Sequence, residues 1–119
     1  MRIVRNLLRR TSRLAGPLSA ITYATVAAAG SSKTDAAALT GTVNVVTDAN
    51  DTKGVILPAG VAQGDTLVVV NTVANKTLKV YPPSGKKINA SSSADTALVL
   101  LASQAGLFIS LGDGDWAGA

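Results

Sequence analysis

Ser84 and Lys87 stand three residues apart, the spacing at which a lysine activates a serine nucleophile in some acyl enzymes. That chemistry needs the serine at the start of a buried helix. Here Pro82-Pro83 precedes it and Gly85 follows, so a turn serine is the stronger reading. DANDTKG, residues 48–54, puts Asp48, Asn50 and Thr52 at alternate positions, as at the start of a calcium loop. The sixth position is Lys53 rather than Gly and the twelfth is Ala59 rather than Glu, which favours a turn held by Asp and Asn side chains. Asp113 and Asp115 in GDGD supply two carboxylates, too few to hold a cation unaided. Gly85-Lys86 lacks the glycine that a phosphate-binding loop carries five residues earlier; Val80 stands there. Asn50, Asn75 and Asn89 each open a glycosylation-type triplet, a short pattern that recurs by chance in a chain rich in Asn, Ser and Thr.

The chain has no His and no Cys. The first absence removes the usual general base near neutral pH and the commonest metal ligand. The second removes disulfides and thiolate metal sites. No constellation for catalysis remains, so the expectation is a protein that is not an enzyme and uses no cofactor and no small-molecule substrate.

The remaining candidate chemistry is at the start. MRIVRNLLRRTSRLAG carries Arg2, Arg5, Arg9, Arg10 and Arg13, with Ile3, Val4, Leu7, Leu8 and Leu14 between them. Ile3, Leu7 and Leu14 recur at helical spacing, and Gly16-Pro17 ends the pattern. A helix of this length, ~22 Å, is marginal alone in water and needs a surface to pack on. A secretory signal or transit peptide also starts this way, but Pro17, Ser19, Thr22, Tyr23 and Thr25 interrupt the apolar stretch such a signal needs. Nucleic-acid binding suits arginine, but the remainder of the chain has six lysines against seven aspartates and few aromatic platforms. A helix folded back on its own domain is the plain alternative. The favoured reading is a docking arm. Ile3, Leu7, Leu8 and Leu14 are its apolar anchors, and Arg2, Arg5, Arg9, Arg10 and Arg13 pair with a partner's carboxylates.

The length of 119 residues points to one domain plus a tail, and no apolar run approaches the ~20 residues that span a bilayer. Residues 1–35 are expected as arm and linker, with a short strand allowed by the alternation of Ile21, Tyr23 and Val26 and a flexible connector in AAAGSSK. Residues 36–119 read as an all-β domain, a small antiparallel sandwich or barrel, with the arm a short helix or extended. Strands are expected at 42–47, 54–58, 65–72, 77–82, 97–103 and 106–112, the last two paired across Gln104-Ala105. Val43 and Val45 share one face; Leu78 and Val80 point inward. The four apolar residues of DTLVVVNT suit a strand covered on both faces. Aromatics are 3% and charged residues 15% of the chain, so its core is lightly built and gains from neighbouring subunits.

Within residues 54–116, Leu57-Pro58 is followed by Gly64-Asp65, a Val-rich strand ending in Asn71, Val80-Tyr81-Pro82 into Gly85, Ile88-Asn89, and Gly112 to Trp116. In that order the pieces resemble a small β module of tailed-phage virion proteins, found in head decoration proteins and in fibre or knob proteins. The resemblance implies a capsid decoration (cement) protein on the virion exterior. Such a protein would be homotrimeric, would bind the outer surface of the major capsid protein shell and would stabilise it. The alternative it implies is a tail-fibre, knob or head-fibre module that binds a host surface through loops around 82–95. The arm lies outside the resemblance.

Overall fold

The computed structural model describes residues 21–90 and 93–119. Nine strands, and no helix among the described residues, make two sheets. They are β1 (Tyr23–Ala27), β2 (Ala37–Ala38), β3 (Val43–Thr47), β4 (Gly54–Ile56), β5 (Thr66–Asn71), β6 (Leu78–Tyr81), β7 (Leu98–Leu100), β8 (Ala105–Ser110) and β9 (Trp116–Gly118). The larger sheet has the order β1-β3-β5-β8-β9 and the smaller β2-β4-β6-β7.

The first six strands alternate between the sheets, so the chain winds through three stacked coils. Each return to a sheet runs in the same direction. β1, β3 and β5 are therefore parallel neighbours, as are β2, β4 and β6. Tyr23, Val43 and Val68 stand in one register, 20 and 25 residues apart along the chain. This corrects the antiparallel expectation. Parallel neighbours need a long crossover, and here the strand in the opposite sheet supplies it. Only the last strands reverse: β7 lies antiparallel to β6, β8 to β5, and β9 to β8. The expected β7–β8 hairpin does not form. The turn 101–104, closed by Gln104 N–H on the Leu101 carbonyl and with Ser103 at φ 59°, carries the chain from the smaller sheet to the larger.

Both sheets contribute to one core. Val46, Leu67, Val69, Phe108 and Trp116 come from the larger; Val55, Leu78, Val80 and Leu100 come from the smaller. Leu78 and Val80 point inward, as their alternation implies. On β3 the inward residues are Asn44 and Val46, which leaves Val43 and Val45 on the outer face. Asn44 is fully buried and fully bonded. Its Oδ1 accepts from Gly41 N–H at 2.9 Å, and its Nδ2 donates to the Gly41 and Val68 carbonyls at 2.8 and 3.2 Å. Asn71 does the same at the end of β5, donating to the Lys76 and Leu101 carbonyls and accepting from Val73 N–H.

β1 falls inside the stretch expected as arm and linker, yet forms one edge of the larger sheet. The connector after it is a tight loop. The Asp35 carboxylate accepts from the N–H groups of Ser31 and Ser32 at 3.0 and 2.9 Å.

Candidate functional site

Several polar groups singled out in the sequence, Asn50, Ser84, Asn89, Asp113 and Asp115 among them, are engaged in hydrogen bonds within the chain. Asn50 Oδ1 accepts from Thr52 and Lys53 N–H at 3.0 and 2.8 Å. The Asp51 carboxylate accepts from Thr77 N–H at 2.8 Å and Thr77 Oγ1 at 3.2 Å, across to the next coil. Those bonds, the backbone one foremost, hold Asp51 below the usual carboxylate range; Ser32 and then Ser31 N–H do the same for Asp35. Asp113 accepts from Asp115 N–H, and Asp115 accepts from Lys87 N–H at 2.9 Å. Ser84 Oγ accepts from Lys33 Nζ at 3.1 Å, and Asp95 accepts from Gly85 N–H at 2.6 Å and pairs with Lys33. These bonds tie Ser84 and Gly85 to Lys33 and Asp95. Here Ala59, Gly60, Pro83, Ser84, Lys86 and Asp113 border an open depression of about 400 Å³. Among the described residues no three His, Cys, Asp or Glu side chains gather where they could hold a metal ion, and no helix is long and apolar enough to cross a membrane.

The nine arm residues, Arg2, Ile3, Arg5, Leu7, Leu8, Arg9, Arg10, Arg13 and Leu14, lie outside the described residues.

What the structure brings together is a surface the sequence reading did not single out: the outer face of the larger sheet. Strand alternation and pairing put Tyr23 and Thr25 of β1, Val43 and Val45 of β3, Val68 and Val70 of β5, Leu107 and Ile109 of β8 and Ala117 of β9 on that face. No charged residue stands at an outward position of these strands. Tyr23, Leu107 and Ile109 are exposed, with Ile21 and Leu111 exposed just beyond the strand ends. Five strands at ~4.8 Å and six residues at ~3.3 Å give a patch on the order of 400 Å², the size at which exposed apolar surface marks an interface. β5 reads as a strand covered on both faces, but within one chain only its Leu67, Val69 and Asn71 side is covered.

The face has relief at its two edges. On the β1 edge Tyr23 is 70% exposed, more than any other large apolar side chain among the described residues. On the β9 edge Leu107, Ile109, Ala117, Gly118, Ala119 and Asn89 line a groove of about 250 Å³. Two alanines keep its floor low. Phe108, beneath Gly118 in the core, leaves no space for a Cβ there. Asn89 fixes one wall: its Nδ2 donates to the Gly118 carbonyl at 2.9 Å, and its Oδ1 accepts from Gly118 N–H at 2.8 Å. Part of this face has a local sequence signal, because Val68, Val69 and Val70 leave no polar side to the middle of β5.

Compared with protein-family models, curated proteins and solved structures, the chain matches none of them.

Proposed function

We propose that the chain is a non-enzymatic virion structural protein, a capsid decoration protein. It associates with itself as a trimer, binds the outer surface of the major capsid protein shell and stabilises it. The observation that carries this reading is the charge-free apolar face of the larger sheet. A lightly cored domain with such a face gains stability from copies of itself. The leader with five arginines and no acid in its first thirteen residues suits an acidic shell surface, and three copies of a weak arm bind with high avidity. The likeness of residues 54–116 to phage head decoration modules supports the same reading.

The test is co-sedimentation with undecorated capsid shells. Full-length protein is expected to pellet with the shells and raise their heat resistance; protein lacking residues 1–15 is expected to remain in the supernatant. Equal binding by both forms sinks the arm assignment, and no binding by full-length protein sinks the decoration reading.

The turn at Ser84 and Gly85, held by Asp95 beside the depression at Ser84, Lys86 and Asp113, favours a second reading, a fibre or knob module that contacts a host surface. Under that reading Lys86→Ala/Asp113→Ala abolishes adsorption to host cells and leaves shell binding unchanged.

A further inference from the structure

Three surfaces are candidates for a further role: the open depression beside the loop 83–95, the exposed Val99 and Leu101 at the β7 edge, and the outer face of the larger sheet. The first is an open depression whose Ser84 and Asp113 are already engaged, by Lys33 Nζ and by the Asp115 N–H. The second is one side chain on a three-residue strand and one just past its end, too short a template to add another strand. The third has a protrusion and a recess on one continuous face.

Tyr23 and the groove stand at opposite edges of that face. Tyr23, Val43, Val68 and Leu107 are in one register across four strands. Ala119 completes the row, with Leu107 and Ala119 exchanging both backbone hydrogen bonds at 3.1 and 3.2 Å. Tyr23 is thus level with the groove but ~19 Å away across four strand spacings, and cannot fill it within its own chain. At about 250 Å³ the groove is below the ~300–1,000 Å³ of sites for small molecules and is the size of one large side chain. Its lining is aliphatic, with a single polar wall at Asn89, whose amide is already committed to Gly118. An aromatic ring with one polar tip fits such a recess: the ring covers Leu107 and Ile109 while the hydroxyl stays at the rim.

We infer that Tyr23 of one copy seats in the groove formed by Leu107, Ile109 and Ala117 of another copy of the same chain. The inference rests on the self-association in the reading above and names the contact that makes it. A second copy is the occupant the surface fits best. The face carries no charge for a charged partner to complement, and the exposed aromatic that matches the groove lies on the same face. Residues 1–20 contain no aromatic side chain. The pairing also covers the outer side of β5, which one chain leaves open.

The experiment places p-benzoylphenylalanine at position 23 of the full chain and mixes this variant with heavy-isotope-labelled protein of unaltered sequence. After illumination, adducts between light position 23 and heavy peptides from residues 105–119 are expected. Adducts confined to a single chain, or made with residues 1–20, overturn the inference. Sedimentation velocity supplies the second readout. Tyr23→Ser and Ala117→Phe are expected to raise the dissociation constant at least tenfold, and Tyr23→Phe to leave it unchanged. Assembly unaffected by both Tyr23→Ser and Ala117→Phe overturns the inference, as does an unaltered chain that is monomeric at micromolar concentration. The trimer and decoration claims fail separately. Assemblies that stop at two copies, or that ignore capsid shells, sink those claims while the position-23 adducts still report the contact.

Discussion

Asn44 and Val68 are joined across two coils by a part-buried hydrogen bond, Asn44 Nδ2 to the Val68 carbonyl at 3.2 Å. The same side chain closes the entry to β3 through Gly41. Replacing it with leucine keeps the branching and the heavy-atom count and strands the Gly41 N–H and carbonyl in the core. Each buried group left without a partner costs about 1–3 kcal/mol. Asn44→Leu is therefore expected to lower unfolding stability by about 3 kcal/mol. Denaturant titration at fixed protein concentration checks this: the midpoint falls and the slope stays constant.

Asp51 links acidity to stability. The Thr77 N–H holds its carboxyl below the value of 3.8 taken for an unperturbed aspartate. A native pKa lower than the unfolded one contributes stability that is fully present above the unfolded value. That contribution is lost as pH falls through the native one. Asp51→Asn keeps a residue that tolerates the positive φ of 75° at this position but removes the charge. The variant is expected to melt below the unaltered protein at pH 7, with the difference shrinking as pH falls below about 3.8. A melting series from pH 7 to pH 2 measures it. A gap that is constant across the series refutes the linkage.

Phe108 is fully buried, next to Gly118 and in the same core as Trp116. Phe108→Ala opens a cavity there and is expected to cost about 3–5 kcal/mol. Trp116 is the chain's single tryptophan, so its emission follows the transition directly. Gly54 gives a complementary test on the smaller sheet. A Cβ at Gly54 would lie 2.7 Å from both the Lys79 carbonyl oxygen and the Tyr81 ring. Gly54→Ala is expected to cost about 1–3 kcal/mol by overpacking.

Arg9→Glu/Arg10→Glu reverses charge in the leader without shortening it. If those arginines meet carboxylates on a shell, the variant loses affinity most at low salt, and the two proteins converge as salt rises. Shell-binding isotherms at two ionic strengths check this; a salt-independent difference removes the ion-pairing role.

The positions of β1 and of β3 to β8 were legible in the sequence because apolar alternation and turn residues mark them locally; β2 and β9, two and three residues long, carry no such mark. TLKVYP placed Leu78 and Val80 inward, and DANDTKG was readable as a turn held by Asn50. Pairing partners were not legible. Register between Val43 and Val68 is set 25 residues apart by how the chain winds between sheets, and no turn signal encodes that. The inward position of Asn44 was hidden for a related reason. Period-two alternation defines two faces without saying which is covered, and a polar residue between valines reads as the wet side. Its bonding partners Gly41 and Val68 are recognisable only once the coils are stacked. The Tyr23 and Leu107 face was missed because it joins residues from both ends of the chain.

The reversal at β8 and β9 makes the stack of coils directional. The segment 87–89 lies along β9, with Asn89 N–H on the Trp116 carbonyl and Trp116 N–H on the Lys87 carbonyl, so that end is sealed. At the other end, among the described residues, β1 pairs only with β3 and its far backbone edge has no strand beside it. In the larger sheet, among the described residues, the β1 edge is therefore the one left for a further strand. A lengthened version of this architecture would gain its additional winding ahead of Tyr23, with the carboxyl-terminal stopper left intact.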